Sequence, residues 1–241
     1  MHERQCHDSA VFVTLTYDDE HVPYGGVLHY RHFQLFMKKL RFRLSIPVRF
    51  FMCGEYGDTT WRPHYHAALF GVSFGDRQPW RKSGAGFQLY RSELLDSLWD
   101  FGSAEIGELS FESAAYIARY CMKKITGDRA TAHYERLLPD TGEIIGLPPE
   151  FARMSLKPGI GAEWFRRFAP EVLTHNGCVV DGRVLNVPRF YQKMMSDDDL
   201  HDFTMQRYNL LEGGTDNSYD RLRVRELVAR AGLANKIRPL E

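Results

Sequence analysis

The segment Arg62-Pro63-His64-Tyr65-His66-Ala67-Ala68-Leu69-Phe70-Gly71 reads as a β-strand in which two histidines flank one bulky residue. Side chains on a strand alternate between faces, so His64 and His66 share a face, about 6–7 Å apart along the chain. Tyr65 points the other way, into whatever covers the sheet. Histidine at two inner positions, in place of Val or Ile, loses apolar packing there. Two imidazoles so placed can grip one metal ion.

The flanking sequence supplies a sheet for this strand. Residues 49–56 read as another strand, and Gly57-Asp58 opens a loop between the two. Their closeness in sequence makes an antiparallel hairpin the economical pairing. Upstream, Val11-Phe12-Val13-Thr14-Leu15-Thr16-Tyr17 alternates and is rich in β-formers. Asp18-Asp19-Glu20, Pro23, Gly25 and Gly26 end that strand. Between them, Phe33, Phe36, Met37, Leu40 and Leu44 recur at helical spacing over residues 32–44. Downstream, residues 75–87 are rich in Gly, Arg and Ser and are expected to form a loop. Residues 92–99 read as a helix and 103–109 as a short strand. Ser110 or its neighbour is expected to cap a helix running to about Ile125, and Gly127 to stop it. The order β-α-β-β-α-β-α predicts an α+β fold with helices on one side of the sheet. The expected domain boundaries are a core over residues 1–130 and a mixed, mainly helical C-terminal appendage over 131–241. In the appendage, residues 162–168, 198–211 and 219–231 look helical and 178–190 extended, after a Pro/Gly-rich stretch over 137–161.

A hydrophobic content of 44% with 13% aromatics in 241 residues builds a sizeable core and excludes a disordered chain. Lys+Arg and Asp+Glu both number 31, so overall charge points to no class of partner. Basic residues do cluster: Lys38, Lys39, Arg41, Arg43 and Arg49; Arg119, Lys123, Lys124 and Arg129; Arg221, Arg223, Arg225 and Arg230. Each cluster is either part of a basic groove or a solvated helix face. Cys6, Cys53, Cys121 and Cys178 are widely spaced, the usage of a reduced cytosolic protein. No apolar run approaches a membrane span, and Glu3, Arg4, His7 and Asp8 exclude a signal peptide at Met1.

Two histidines are too few ligands. Glu55, near the end of the preceding strand, is a candidate third, because an antiparallel partner can sit beside the histidines on one face. The alternative for Glu55 is a surface carboxylate near a turn. Two imidazoles and a carboxylate leave open positions on a divalent ion, as a catalytic site requires. In the helix after Ser110, Tyr116 and Tyr120 are four apart and share a face, with Lys123 and Lys124 one turn on. Ala114, Ile117, Ala118, Cys121 and Ile125 form a separate apolar stripe that can cover the sheet. Tyrosine has an ordinary pKa of about 10, so as a nucleophile it needs a lowered pKa or a base, and a polarised electrophile. Lys123 or Lys124 can stabilise the phenolate or position a phosphate. Metal ligands, paired tyrosines and lysines ask for one reaction class, the metal-assisted transfer of a phosphodiester to tyrosine.

These residues resemble a known family. His64-Tyr65-His66 is similar to the His-hydrophobic-His motif of the HUH endonucleases, and Phe12-Val13-Thr14-Leu15-Thr16-Tyr17 to their first motif. Tyr116-Ile117-Ala118-Arg119-Tyr120-Cys121-Met122-Lys123-Lys124 resembles the two-tyrosine third motif of rolling-circle initiators, and the three occur in the family's order. The likeness is strongest to initiators of single-stranded DNA microviruses of the gokushovirus group. It extends through Thr16-Tyr17-Asp18-Asp19-Glu20-His21, Gly54-Glu55-Tyr56-Gly57, Met154 to Gly161 and Pro188-Arg189-Phe190-Tyr191, over roughly residues 1–195. Such initiators often carry a cysteine-containing segment ahead of the first strand. From Met1-His2-Glu3-Arg4 none precedes it here, and the nicking chemistry is not expected to need it.

The resemblance implies a ferredoxin-like or RRM-like antiparallel sheet with single-stranded origin DNA across its face. Mg²⁺ or Mn²⁺ would be held by Glu55, His64 and His66, with Mn²⁺ well suited to imidazole. One of Tyr116 and Tyr120 would nick the strand as a 5′-phosphotyrosine, and the other would act in closing the product circle. Thr14, Thr16, Arg62 and Arg119 are the expected DNA contacts, with plain β-propensity and loop or helix surface roles as their alternatives. Asp18, Asp19 and His21 are expected to shape a turn. Host helicase and polymerase are candidate partners, no membrane is expected, and the place of action is the host cytoplasm. Three rivals stand: a plasmid or transposon relaxase of the same fold, a non-catalytic RRM-like nucleic-acid binder, and a zinc hydrolase using water. The binder leaves Glu55 and the tyrosine pair unexplained, and the hydrolase needs no tyrosine.

Overall fold

The computed structural model of the protein describes residues 1–57, 59–120, 125, 127–180, 182–212 and 216–236. The chain divides into two compact units, one from Met1 to Ile160 and one from Gly161 onward.

The first unit runs α1 (His2–Gln5), β1 (Ala10–Tyr17), α2 (Tyr30–Leu44), β2 (Arg49–Tyr56), β3 (Pro63–Phe70), β4 (Gln78–Lys82), β5 (Gln88–Arg91), α3 (Glu93–Asp96), β6 (Gly102–Glu108), α4 (Phe111–Tyr120), α5 (Arg129–Tyr134), β7 (Glu135–Leu137), β8 (Ile144–Gly146) and β9 (Phe151–Met154). Seven strands form one antiparallel sheet in the order β4-β5-β6-β1-β3-β2-β9, and β7 pairs with β8 apart from it. The α+β sheet expected from the sequence is present, with β2 and β3 as the expected hairpin.

Alternation along β1 decides the two faces. Val11, Val13, Leu15 and Tyr17 point to one side with Met52, Tyr65, Ala67 and Leu69, and α2 closes that side with Phe33, Phe36, Met37 and Leu40. All are buried, and each large apolar side chain so placed contributes about 1.5–3 kcal/mol. Tyr65 is fully buried, and its hydroxyl donates to the His29 carbonyl at 2.8 Å. The opposite side carries Phe12, Cys53, Ala68 and Phe70, covered by Tyr116 and Ile117 of α4.

Four local expectations are corrected. Helices lie on both faces, because apolar residues on the α4 side of β1, β2 and β3 also need cover. Within α4, Ile117 packs inward while Ala118 is exposed, so the packing stripe is narrower than the spacing suggests. Residues 75–87 are not simply a loop: the Gly/Ser content is concentrated in the turn of a hairpin, where Ser83 N–H donates to the Phe87 carbonyl and Gly86 N–H to the Ser83 carbonyl, both at 2.8 Å. The sheet also continues past residue 130, since β9 pairs with β2 from Phe51↔Met154 to Gly54↔Phe151.

The cap of α4 follows the expected chemistry. Ser113 N–H donates to Ser110 Oγ at 3.2 Å, and Ser110 N–H donates back to Ser113 Oγ at 2.9 Å. One glycine is obligatory. Gly102 opens β6 at φ 148°, and a Cβ there would run into the Thr16 carbonyl oxygen and the Asp18 amide nitrogen of neighbouring backbone. Gly102→Ala is expected to destabilise the fold by more than about 1 kcal/mol, read as a lowered Tm; an unchanged Tm would remove this account.

In the second unit, α6 (Ala162–Thr174) precedes a hairpin of β10 (Cys178–Val180) and β11 (Arg183–Leu185), then α7 (Arg189–Gln192), α8 (Asp197–Glu212) and α9 (Tyr219–Lys236). Trp164 and Phe165 stack on Tyr191 at 5.9 and 4.9 Å. The stretch expected to be extended over 178–190 is therefore a short hairpin followed by the start of α7. Among the described residues, no helix is long and apolar enough to cross a membrane.

Candidate metal centre

Register brings the three expected ligands together. Glu55 pairs with His64 and Cys53 with His66 across β2 and β3, so Glu55 and both imidazoles share the α4 side of the sheet. The Glu55 Oε1 atom lies 2.8 Å from His64 Nε2 and 2.9 Å from His66 Nε2. One ligand atom from each residue falls within 4.8 Å of the others, a group able to hold a metal ion. Glu55 is 1% exposed and His66 7%.

Proton bookkeeping on the imidazoles tests the fit. His64 Nδ1 lies 3.0 Å from the Arg62 carbonyl oxygen, which only accepts, so Nδ1 carries the proton. His64 Nε2 then faces a carboxylate oxygen, which also only accepts. Positive charge is required at Nε2, from a second proton or from a metal ion. Nδ1 of His66 is held at 2.9 Å by the Thr14 hydroxyl, which also leaves Nε2 as the inward atom. Glu55 Oε2 is buried with no hydrogen-bond partner among the described residues. A buried carboxylate oxygen without a donor is costly, and a cation would satisfy it. The donor set, two imidazole nitrogens and one carboxylate, suits a divalent transition metal and leaves coordination positions open.

The protonation tendencies agree. Burial opposes charge on Glu55, but hydrogen bonds from His64 and His66 outweigh it and hold the carboxyl below its usual range. Burial, the largest effect at His66, pushes its imidazole below the usual histidine range, which favours the neutral, metal-binding form.

The first helical turns of α4 bring Tyr116 to this centre. Its hydroxyl donates to Glu55 Oε1 at 3.5 Å, and its ring stands edge-on to His66 with centroids 5.0 Å apart. Tyr116 is 6% exposed. The backbone of Tyr120 ends α4 one turn later. Lys123 and Lys124 lie outside the described residues.

The expected DNA contacts separate. Thr14 and Thr16 line a cavity of about 360 Å³ beside the ligands. Thr14 also orients His66, a role its spacing did not reveal. Arg62 and Arg119 are not among the residues lining that cavity. The Arg62 guanidinium donates to the Tyr17 carbonyl at 2.8 Å and pairs with Asp19, fastening β3 to the end of β1. Asp18 shapes the following turn as expected, its Oδ1 accepting from the His21 amide at 2.9 Å. Sequence reasoning missed the β4–β5 hairpin, which lines the far side of the cavity. Its signal was Ser83-Gly84-Ala85-Gly86 between short segments containing Trp80, Leu89 and Tyr90.

Comparison with known proteins adds a family. Residues 10–125 match the model of the replication-associated protein ORF2 family. The chain is 32% identical over 200 residues to replication-associated protein VP4 of Bdellovibrio phage phiMH2K, covering 79% of this chain and 59% of that protein. It is 31% identical over 196 residues to replication-associated protein ORF2 of Spiroplasma virus 4, covering 76% and 57%. It is 26% identical over 230 residues to replication-associated protein ORF4 of Chlamydia phage 1, covering 87% and 52%. The chain thus spans between about half and three fifths of the length of these relatives. No solved structure matches it.

Proposed function

Residues 10–125 belong to the replication-associated protein ORF2 family, and on that premise we propose that the chain initiates rolling-circle DNA replication as a metal-dependent single-strand endonuclease and strand transferase. The observation that carries this reading is the convergence of the Tyr116 hydroxyl on the Glu55–His64–His66 group, 61 residues away from Glu55 in sequence. A divalent ion held by these three residues, Mg²⁺ or Mn²⁺, supplies positive charge that polarises a phosphodiester.

The chain's own groups do the rest. Tyr116 Oη attacks phosphorus as its proton leaves. A P–O bond forms to tyrosine, the bond to the 3′ oxygen breaks, and that oxygen takes up a proton. The products are a 5′-phosphotyrosine, which keeps the energy of the cut bond, and a 3′-hydroxyl that primes synthesis. Thr14 and Arg62 hold His66 and His64 through Nδ1 contacts, so the imidazoles need no reorganisation during the step. Tyr120, on the same helix, serves as the second nucleophile that releases and closes the product circle. Lys123 and Lys124 stabilise the phenolate or the phosphate, and Arg119 and Thr16 contact DNA. The substrate is single-stranded origin DNA in the host cytoplasm, with host helicase and polymerase acting on the freed end.

The test is incubation with an origin-strand oligonucleotide and Mn²⁺. A covalent protein–DNA adduct that survives denaturing electrophoresis is expected, and a chelator added beforehand should prevent it. Cleavage without any adduct would favour water as nucleophile and sink the tyrosine reading.

A further inference from the structure

We propose that the cavity beside the metal centre seats one unpaired nucleobase of the strand whose phosphate lies at Tyr116, so that the β4–β5 hairpin sets base recognition. This rests on the reading of the centre as a single-stranded DNA site. The cavity measures about 360 Å³, a size typical of ligand pockets, and His64, His66 and Tyr116 line it together with the hairpin. A nucleotide whose phosphate reaches the centre therefore has this cavity beside it.

The walls favour a flat, uncharged ring. Phe12 stacks on His66 with centroids 5.5 Å apart and planes inclined by 24°. Across from it stands Leu89, and between the two the strand carries Gly107. A Cβ at Gly107 would lie 3.5 Å from both Leu89 Cδ2 and Phe12 Cδ1, so a branched side chain there would occupy the gap. A glycine inside a strand weakens it, and close approach of a ligand is a recurring reason for one. At the rim Phe87 is 51% exposed, an aromatic face left in water beside the opening. Stacking on such faces is how single-stranded nucleic acid is commonly held, whatever its sequence.

Charge argues against a phosphate in the same place. Among the residues lining the cavity, Arg81 is the single Lys or Arg. Its guanidinium is engaged by Glu105 through two bonds, Nε to Oε1 at 2.7 Å and Nη2 to Oε2 at 2.9 Å. The fork that would otherwise receive a phosphate is matched already, and the ion pair fastens β4 to β6. The phosphate belongs at the metal centre and the base in the cavity.

The experiment compares binding of twelve-nucleotide homopolymers of dA, dC, dG and dT, which carry no nick site, with a twelve-nucleotide abasic strand, by fluorescence anisotropy in Mn²⁺. The wild-type protein is expected to prefer at least one homopolymer over the abasic strand by tenfold or more. Phe87→Ala and Gly107→Val should each narrow that gap by roughly tenfold, the scale of one lost stacking contact. Phe87 is exposed, so its truncation does not threaten folding, and Gly107→Ala, whose Cβ meets only ordinary contacts, serves as a milder companion. A wild-type gap in both Phe87→Ala and Gly107→Val, or no gap in the wild type, would overturn the proposal. Adduct formation by the same proteins reports separately on nicking: adducts with an unaltered gap remove the base seat alone, whereas a wild type that forms no adduct removes the nicking reading.

Discussion

His66→Ala is expected to abolish both metal binding and strand cleavage, with cleavage falling by roughly a thousandfold or more, the scale seen when a central electrostatic group is removed. Three consequences of the structure lie behind this expectation. The variant deletes one of two imidazoles that converge on Glu55 Oε1, so the ligand count drops from three to two. It removes the ring against which Tyr116 stands edge-on at 5.0 Å, loosening the nucleophile as well. It also leaves the buried Glu55 carboxylate with one fewer hydrogen-bond donor. Thr14→Val is the informative companion. It keeps the ligand and the strand but removes the hydroxyl that holds Nδ1, and metal affinity should fall by about 10–100-fold, as for other groups that orient a ligand. Calorimetric titration with Mn²⁺ separates the two. Wild-type metal affinity in His66→Ala would show that the ion sits elsewhere.

Tyr116→Phe is the second large effect. The ring and its packing remain, and the hydrogen bond lost is a long one at 3.5 Å, so stability should change by less than about 1 kcal/mol. First-strand cleavage should fall by roughly a thousandfold or more, because the nucleophilic oxygen is gone. In Tyr120→Phe an adduct should still form, and peptide mapping should place the DNA on Tyr116. The double variant Tyr116→Phe/Tyr120→Phe should form none. An adduct in Tyr116→Phe that maps to Tyr120 would reverse the assignment of the first nucleophile.

Much of this centre was legible in the chain because its geometry is local. The two-residue spacing of His64 and His66 puts them on one face of any strand, and a short loop forces β2 back along β3, which lands Glu55 opposite His64. The four-residue spacing of Tyr116 and Tyr120 is likewise a property of the helix itself. Other parts depended on surroundings. The Gly- and Ser-rich stretch after residue 75 looked like a loop because its turn residues dominate the composition, while the strands on either side are short and exposed. The place of β9 was hidden for a similar reason: four residues after a Pro-rich stretch form a strand only because β2 offers an open edge. Thr14 looked like a β-former or a DNA contact, and its hydrogen bond to a residue 52 positions away became visible only once β1 lay beside β3.

Taken by itself, then, the sequence determined the sheet-and-helix class, the shared face of His64 and His66, the Glu55 partner and the paired tyrosines, because strand and helix periodicity act over a few residues. Only the tertiary structure decided that α4 covers the ligand-bearing face and not the α2 face, that Tyr116 reaches Glu55, and that a hairpin walls a cavity beside them. Those outcomes rest on which apolar surfaces are left to bury once the sheet has formed. That is a property of the assembled strands, where residues distant in sequence meet, and no local spacing records it.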